Sequence, residues 1–289
     1  MTNTASHPPE DLGPRPQTGG LGIANVSKVY DPEGRAVVAL DDFSLDVEAG
    51  DFVAIVGPSG CGKSTLLNIL AGFDTPTSGE VLLDGVPLAG PDLAPRPGPD
   101  RVVVFQQGAL FPWMTVLGNV TYGLLKQGGV SRREAEARAI TLLAESGKLD
   151  RIADAYPAQL SSGMQRRVEI IRALINDPRV LLLDEPFRAM DTVNKSTMHR
   201  HLLELYSRNR KTIVFITHDL EEALFLADRV IVMTTRPGTL KMDIAVNLPR
   251  PRKREMMASD AYLALREKAV FAVSEEAKRA FERGEREMA

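Results

Sequence analysis

The sequence predicts an α/β fold, with a parallel β-sheet built around a phosphate-binding loop and a helical block inserted part-way along the chain. Three observations predict it. GPSGCGKST at residues 57–65 fits the spacing G-x-x-x-x-G-K-[ST] and lies between the apolar run Phe52 to Val56 and the helix-compatible segment Leu66 to Leu70. Val180 to Leu183 and Thr212 to Ile216 are continuous apolar runs, as in strands buried on both faces of a parallel sheet. These runs alternate with segments of helical periodicity, the alternation that gives an α/β core.

The elements follow in order. The first twenty residues are polar and rich in Pro and Gly, without the basic start and apolar stretch of a signal peptide, and are expected to form a disordered leader. Strands are expected over Leu21 to Val29, Ala36 to Leu40 and Phe43 to Val47, with Asp31-Pro32-Glu33-Gly34 as a hairpin turn. After the strand, loop and helix of residues 52–70, Glu80 to Leu83 and Val102 to Phe105 read as strands. Pro91 to Asp100, with four prolines and a glycine, reads as a loop. From about Val116 to Ile175 the pattern is helical. Ser131 is a candidate N-cap with Glu134 completing a capping box, and Ala139, Leu142 and Leu143 follow at helical spacing. A further helix is expected from Gly163 to Asn176, stopped by Pro178. After Val180 to Leu183 come a helix over Val193 to Arg208, the strand Thr212 to Ile216, a helix over Glu221 to Ala227 and a strand over Arg229 to Met233. Ser259 to Met288 reads as one or two peripheral helices. The basic run Arg250 to Arg254 reads as a solvated linker, with contact to lipid headgroups as the alternative. There is no internal repeat.

With 289 residues, 44% of them hydrophobic, the chain has ample material for a core. The net charge of −3 argues against a general attraction to nucleic acid or anionic lipid. A single cysteine, Cys61, excludes an intrachain disulfide and fits a reducing compartment. It reads as a small loop residue, with a reactive nucleophile as the alternative. No apolar run is long enough to span a bilayer, so a cytosolic chain is expected, with any membrane role arising through a partner.

The chemistry starts at the loop. Glycines let the backbone approach a phosphate closely, and N–H groups at the helix start face the anion along the helix dipole. Gly57, Pro58, Ser59, Gly60, Cys61, Gly62, Lys63, Ser64 and Thr65 are therefore candidate nucleotide-binding residues. Lys63 supplies a point charge for the β- and γ-phosphates, and Ser64 a hydroxyl for Mg²⁺. Asp184 and Glu185 end the run Val180 to Leu183. Asp184 fits a Mg²⁺ ligand acting through water, and Glu185 a group that polarises the attacking water; solvated turn acids are the alternative.

Five more segments join these: Tyr30 in Asn25-Val26-Ser27-Lys28-Val29-Tyr30; Gln106 in Val104-Phe105-Gln106; Leu160-Ser161-Ser162-Gly163-Met164; Ala189-Met190-Asp191; and His218 in Ile216-Thr217-His218-Asp219. With them the chain resembles the ATP-binding subunit of an ABC transporter, over about Leu21 to Pro251. The resemblance implies a P-loop NTPase (RecA-like) core with an antiparallel β subdomain and an inserted α-helical subdomain. It implies an ATP-binding domain over 21–250 with the insertion at about 107–176, and a C-terminal helical extension over 251–289. It also implies ATP and Mg²⁺ as cofactors. Tyr30 matches the aromatic that stacks on adenine, a strand tyrosine packed in a sheet being the alternative. Gln106 matches the glutamine that contacts Mg²⁺ and the attacking water, with Gln107 as the rival position. Ser161, Ser162, Gly163 and Met164 match the signature segment that meets the γ-phosphate bound by the other subunit. That segment also stands at a helix start, where a hydroxyl and free N–H groups suit an anion. Asp191 lies in the loop that crosses to that subunit, and His218 matches the switch histidine that senses the γ-phosphate. Three departures stand out: Ser162 where Gly is usual, Gln165-Arg166 where Arg-Gln is usual, and Arg188 where Gly is usual.

Phe111-Pro112-Trp113-Met114-Thr115-Val116, Arg236-Pro237-Gly238 and Leu248-Pro249-Arg250-Pro251-Arg252 resemble the nitrate, sulfonate and taurine importer group. Phe111 and Trp113 suit a permease groove or the core of the helical block equally. The resemblance implies a homodimer in the ATP-bound state, integral-membrane permease subunits, an indirect link to a substrate-binding protein, no nucleic acid, and a place on the cytoplasmic face of the inner membrane. A soluble ABC ATPase working as an ATP-switched dimer on DNA or ribosomes is the alternative. The short insertion, single phosphate loop and lack of a basic stripe count against it. The Asp184-Glu185 pair and His218 count against a module that binds ATP without hydrolysing it.

Overall fold

Apolar residues on both sides of a strand require cover on both faces, and the chain provides it. The computed structural model describes residues 14–282, apart from 32, 33, 189 and 209 and the side chain of Val193. A six-stranded sheet is built from β3 (Phe52–Val56), β6 (Arg101–Val104), β7 (Val180–Asp184), β8 (Thr212–Ile216), β9 (Arg229–Met233) and β10 (Leu240–Ala245). Its order is β10-β9-β3-β8-β7-β6, parallel except for the antiparallel edge strand β10. A four-stranded antiparallel sheet holds β1 (Leu21–Tyr30), β2 (Val37–Val47), β4 (Ser78–Leu83) and β5 (Val86–Ala89) in the order β2-β1-β4-β5.

Side chains of the parallel strands alternate between two cores. Phe52, Ala54, Val56, Leu181, Leu183, Ile213 and Phe215 face α5 (Thr192–Arg208), α6 (Leu220–Leu226) and α7 (Asp260–Glu282). Val53, Ile55, Val180, Leu182, Val214 and Ile216 face α1 (Lys63–Ala71) and the antiparallel sheet. Truncating a side chain such as Phe215 to Ala costs about 3–5 kcal/mol. A third core lies among α2 (Val116–Gln127), α3 (Arg132–Glu145) and α4 (Ser162–Leu174). Its α4 residues Val168 and Ile171 face that block, while Ile170 faces the sheet, so α4 fastens the helical block to the sheet.

Several expectations need correction. The two strands expected over 36–47 are one, because Asp42 adopts a positive φ of 48° and shifts in register absorb the extra residues. Tyr30 pairs with Val37, so the hairpin exists; Pro32 and Glu33 of its turn lie outside the described residues. The strands β5 and β10 were not expected. Both are edge strands with polar or proline-containing sequences, which periodicity reads poorly. Ser131 accepts the Glu134 N–H, but the Glu134 carboxylate turns to Arg138, so the capping box is half formed. Residues 1–13 of the expected leader lie outside the described residues, whereas Gly19 and Gly20 donate to Asp84 Oδ1 at 2.6 and 2.9 Å. The tail is one helix, α7, over the described residues, and it is docked: Tyr262, Ala269, Ala272 and Glu276 are buried against the sheet and α6. The expected solvated linker is overturned at Arg250 and Arg252, while Lys253 and Arg254 are exposed. Arg250 and Arg252 are buried, and Arg250 Nη2 donates to Asp228 Oδ1 at 2.6 Å and to Leu226 O at 2.9 Å. A charged pair inside the fold replaces solvent or lipid contact.

Candidate functional site

The site forms at the carboxyl ends of β3, β7 and β8. The chain leaves β3 into the loop 57–62 and enters α1 at Lys63. Gly62 has φ 96°, and a Cβ there would stand 2.7 Å from Ala39 O, so only glycine fits the close approach of loop and β2. Lys63 is buried, with Nζ donating to Gly57 O and Pro58 O at 2.8 Å each, so the loop curls around its own lysine. Ser59, Gly60 and Ser64 are exposed on the outside of this curl, and Thr65 is half-buried. The Cys61 side chain turns into the core. Burial pushes its thiol up, and the Lys63 charge opposes this only in part. Cys61 is therefore a packing residue and not a nucleophile.

The strands β7 and β8 pair in parallel, with Asp184 opposite Ile216. Glu185 is the next residue, with φ 41° and its N–H on Ile216 O at 2.9 Å. A glutamate in the left-handed region is a strained position, the kind that clusters at functional sites. Just beyond β8, His218 Nδ1 lies 3.4 Å from Glu185 Oε2. Arg188 Nη1 approaches the same oxygen at 3.3 Å. Asp184 is held above the ordinary carboxylate range by burial, then by the neighbouring Glu185 charge; Lys63 opposes both.

Gln106 follows β6, whose Val104 pairs with Leu183, so the strand directs it toward the same sheet end. Gln106 and Gln107 are both exposed, and the Gln106 main chain is what the fold fixes. Arg166 of α4 donates to Phe105 O and Gln106 O at 2.7 Å each and pairs with Glu169 Oε2 at 2.7 Å. Tyr30, at the end of β1, pairs with Val37 and is 37% exposed, so part of its ring is open to a ligand. Its hydroxyl donates to Asp74 Oδ2 at 2.8 Å, and Lys28 Nζ lies 5.0 Å from its ring centre.

Ser161 caps α4, its Oγ accepting the Met164 N–H at 3.3 Å, while the Met164 side chain packs on the helical core. Ser162 is exposed at the first helical position. A Cβ on Gly163 would stand 3.3 Å from Met190 Cε, so the signature segment touches the loop before α5. There Asp191 accepts from the Asn194 N–H at 3.0 Å and from Asn194 Nδ2 at 2.6 Å; Ala189 lies outside the described residues. Among the described residues, no hydrogen bond joins Ser161, Ser162 or Gly163 to the phosphate loop of the same chain.

Three contacts were not anticipated from the sequence: those of Arg166 and Arg188, noted there only as departures from pattern, and that of Glu222, placed there only within the helix Glu221 to Ala227. Glu222 is buried. It accepts from Thr217 Oγ1 at 2.7 Å, pairs with Lys195 at 2.7 Å, and lies 3.5 Å from His199 Nε2. This network sits directly under His218, because Thr217 Oγ1 also accepts the Asp219 N–H at 3.0 Å.

The oxygen donors Ser64 and Asp184 fit Mg²⁺, a hard cation that takes one or two protein ligands and completes its shell with phosphate and water. Among the described residues no cluster of three or more His, Cys, Asp or Glu suits a metal, and no helix is long and apolar enough to cross a membrane.

The chain is similar to known proteins. Residues 40–188 match the ABC transporter domain family. The nitrate import ATP-binding protein NrtD of Synechocystis sp. is 44% identical over 256 residues, covering 89% of this chain and 92% of that protein. The aliphatic sulfonates import ATP-binding protein SsuB of Bacillus cereus is 38% identical over 251 residues, 86% of this chain and 94% of that one. Among solved structures, a dimeric ATP-binding cassette in a post-hydrolysis state bound to ADP and Pi superposes with a TM-score of 0.67 at 34% identity, covering 79% of this chain and 99% of that chain.

Proposed function

The chain belongs to the ABC transporter family, and we propose that it is the ATP-binding and ATP-hydrolysing subunit of an importer for nitrate, a sulfonate, taurine or a related small solute. The P-loop NTPase fold of the family underlies this reading. One observation carries the hydrolytic role: Glu185 and His218 meet at 3.4 Å, at the ends of adjacent strands, beside the half-buried Asp184.

Residues 57–65 cradle the triphosphate of ATP through main-chain N–H groups. Lys63 exchanges the carbonyls of Gly57 and Pro58 for phosphate oxygens, so its charge is held in place before substrate arrives. Tyr30 offers an exposed ring to adenine. Ser64, Asp184 and Gln106 would hold Mg²⁺, which would neutralise phosphate charge. Glu185 accepts the proton of the attacking water as the bond to ADP breaks, and His218 fixes that carboxylate and meets the γ-phosphate. Ser161, Ser162 and Gly163, with the Met164 main chain, close over the γ-phosphate held by a second copy, and Asp191 lies on the same crossing surface. The dimeric cassette described above supports such pairing.

The further division follows the same reading: an ATP-binding domain over 21–250 with its helical insertion at about 107–176, and an extension over 251–289. Permease subunits dock near Gln106, Phe111 and Trp113 and hold the chain to the cytoplasmic face of the inner membrane. A substrate-binding protein acts only through them. Trp113 is 70% exposed, which suits a contact surface better than a core. Glu185→Gln tests the mechanism. Loss of a general base removes roughly 10²–10⁴-fold in rate. Steady-state phosphate release should fall by that factor, while ATP affinity persists and the ATP-loaded chain elutes as a dimer. Hydrolysis by Glu185→Gln at the native rate would refute the assignment.

A further inference from the structure

We infer that Arg188 is a positioning residue that restrains Glu185 before the site closes, so that this chain carries its own brake on hydrolysis. The inference rests on the reading of Glu185 as the base. The turn after β7 brings the two together: the Arg188 N–H bonds Glu185 O at 3.2 Å, and the buried Phe187 anchors the turn from below. The arginine side chain thereby folds back over the residue three positions earlier. Its Nη1 lies 3.3 Å from Glu185 Oε2, the oxygen that His218 Nδ1 approaches at 3.4 Å. The main chain of Glu185 is fixed by its N–H bond to Ile216 O, so these side-chain partners set where the carboxylate points.

A guanidinium stays charged at neutral pH. Placed on the oxygen that is to take a proton, it makes that oxygen a poorer acceptor.

The Arg188 side chain is 55% exposed, so the contact is weak, and its loss changes a rate by a small factor. The test is steady-state ATP hydrolysis by the full chain with Arg188→Ala, Arg188→Lys and Glu185→Gln measured side by side. Arg188→Ala should raise kcat roughly two- to five-fold with KM for ATP unchanged, as removal of a partly exposed ion pair predicts. Arg188→Lys, which keeps the charge, should stay near the native kcat. Equal melting temperatures for the native and Arg188→Ala chains guard against a folding effect. A kcat for Arg188→Ala at or below the native value, or equal gains from Ala and Lys, would overturn the brake. Native turnover in Glu185→Gln would overturn the base itself, a distinct result.

Discussion

Replacing Glu222 by Gln should loosen the floor of the site by an amount the contacts allow to be bounded. Glu222 is 4% exposed and gathers Lys195 at 2.7 Å, Thr217 Oγ1 at 2.7 Å and His199 Nε2 at 3.5 Å. Glutamine keeps the shape and can still accept from Thr217. It loses the charge that faces Lys195. A fully stranded buried ion costs about 3–5 kcal/mol. Lys195 is not stranded, because Asp219 stands 3.1 Å away and the side chain keeps some exposure. The loss is then that of a charged hydrogen bond, about 1.5–3 kcal/mol. In a chain of this size that lowers the melting midpoint by about 2–5 °C. Urea unfolding with an unchanged m-value should give the same free energy. The pH dependence fixes the cause. Burial alone would raise the Glu222 carboxyl, but the facing His199 and Lys195 and the hydrogen bond from Thr217 outweigh it and hold the group below its ordinary 4.5. A carboxyl depressed on folding contributes stability above its unfolded value and loses it as pH falls through the folded one. The gap between native and variant should therefore stay constant at neutral pH and shrink on acidification below 4.5. A loss under about 0.5 kcal/mol, or a gap that widens in acid, refutes the reasoning.

Asp184→Asn should abolish turnover yet melt no lower than the native chain without nucleotide, because it removes a charge that burial and Glu185 both disfavour; a lower midpoint by calorimetry counts against this. Ser162→Gly changes an exposed position, so its stability should stay within about 0.5 kcal/mol; a rise in ATP turnover on the order of a hundredfold, about 2.7 kcal/mol of barrier, would show that the native serine impairs the site. Cys61 should resist alkylation in the folded chain and react only after unfolding, as mass spectrometry can follow. Asp228→Asn strands Arg250 and should cost about 3–5 kcal/mol. Arg252→Met should be neutral or stabilising in the same unfolding assay, since burial, with Arg250 adding, pushes that guanidinium down to about 10.

How much was legible depends on how a residue's role is written. The loop 57–65 and the run 180–185 announce themselves, because phosphate binding and a strand buried on both faces each demand residue types at fixed spacing. The parallel strands β8 and β9 fall on the residues expected from apolar runs alone. The edge strand β10 was illegible, since only one side of Leu-Lys-Met-Asp-Ile-Ala meets a neighbour and its polar residues hide the pattern.

Charge was the least legible property. Arg250 and Arg252 stand in a run that composition assigns to solvent, yet they are buried because Asp228 and the carbonyls of Leu226 and Ala227 lie at the end of a distant element. Arg166, Glu222 and Arg188 likewise take their roles from partners 3 to 61 positions away. A carboxylate or guanidinium reads the same in sequence whether it faces water or the reacting centre; only the fold supplies its counter-charge. The loop proposed to hold the triphosphate was therefore visible from spacing, whereas the side chains that contact Glu185 and Thr217 emerged only when β7, β8, α5 and α6 were brought together. The rate of this site is accordingly expected to vary with Arg188 and Glu222, residues outside the motif, as well as with the motif itself.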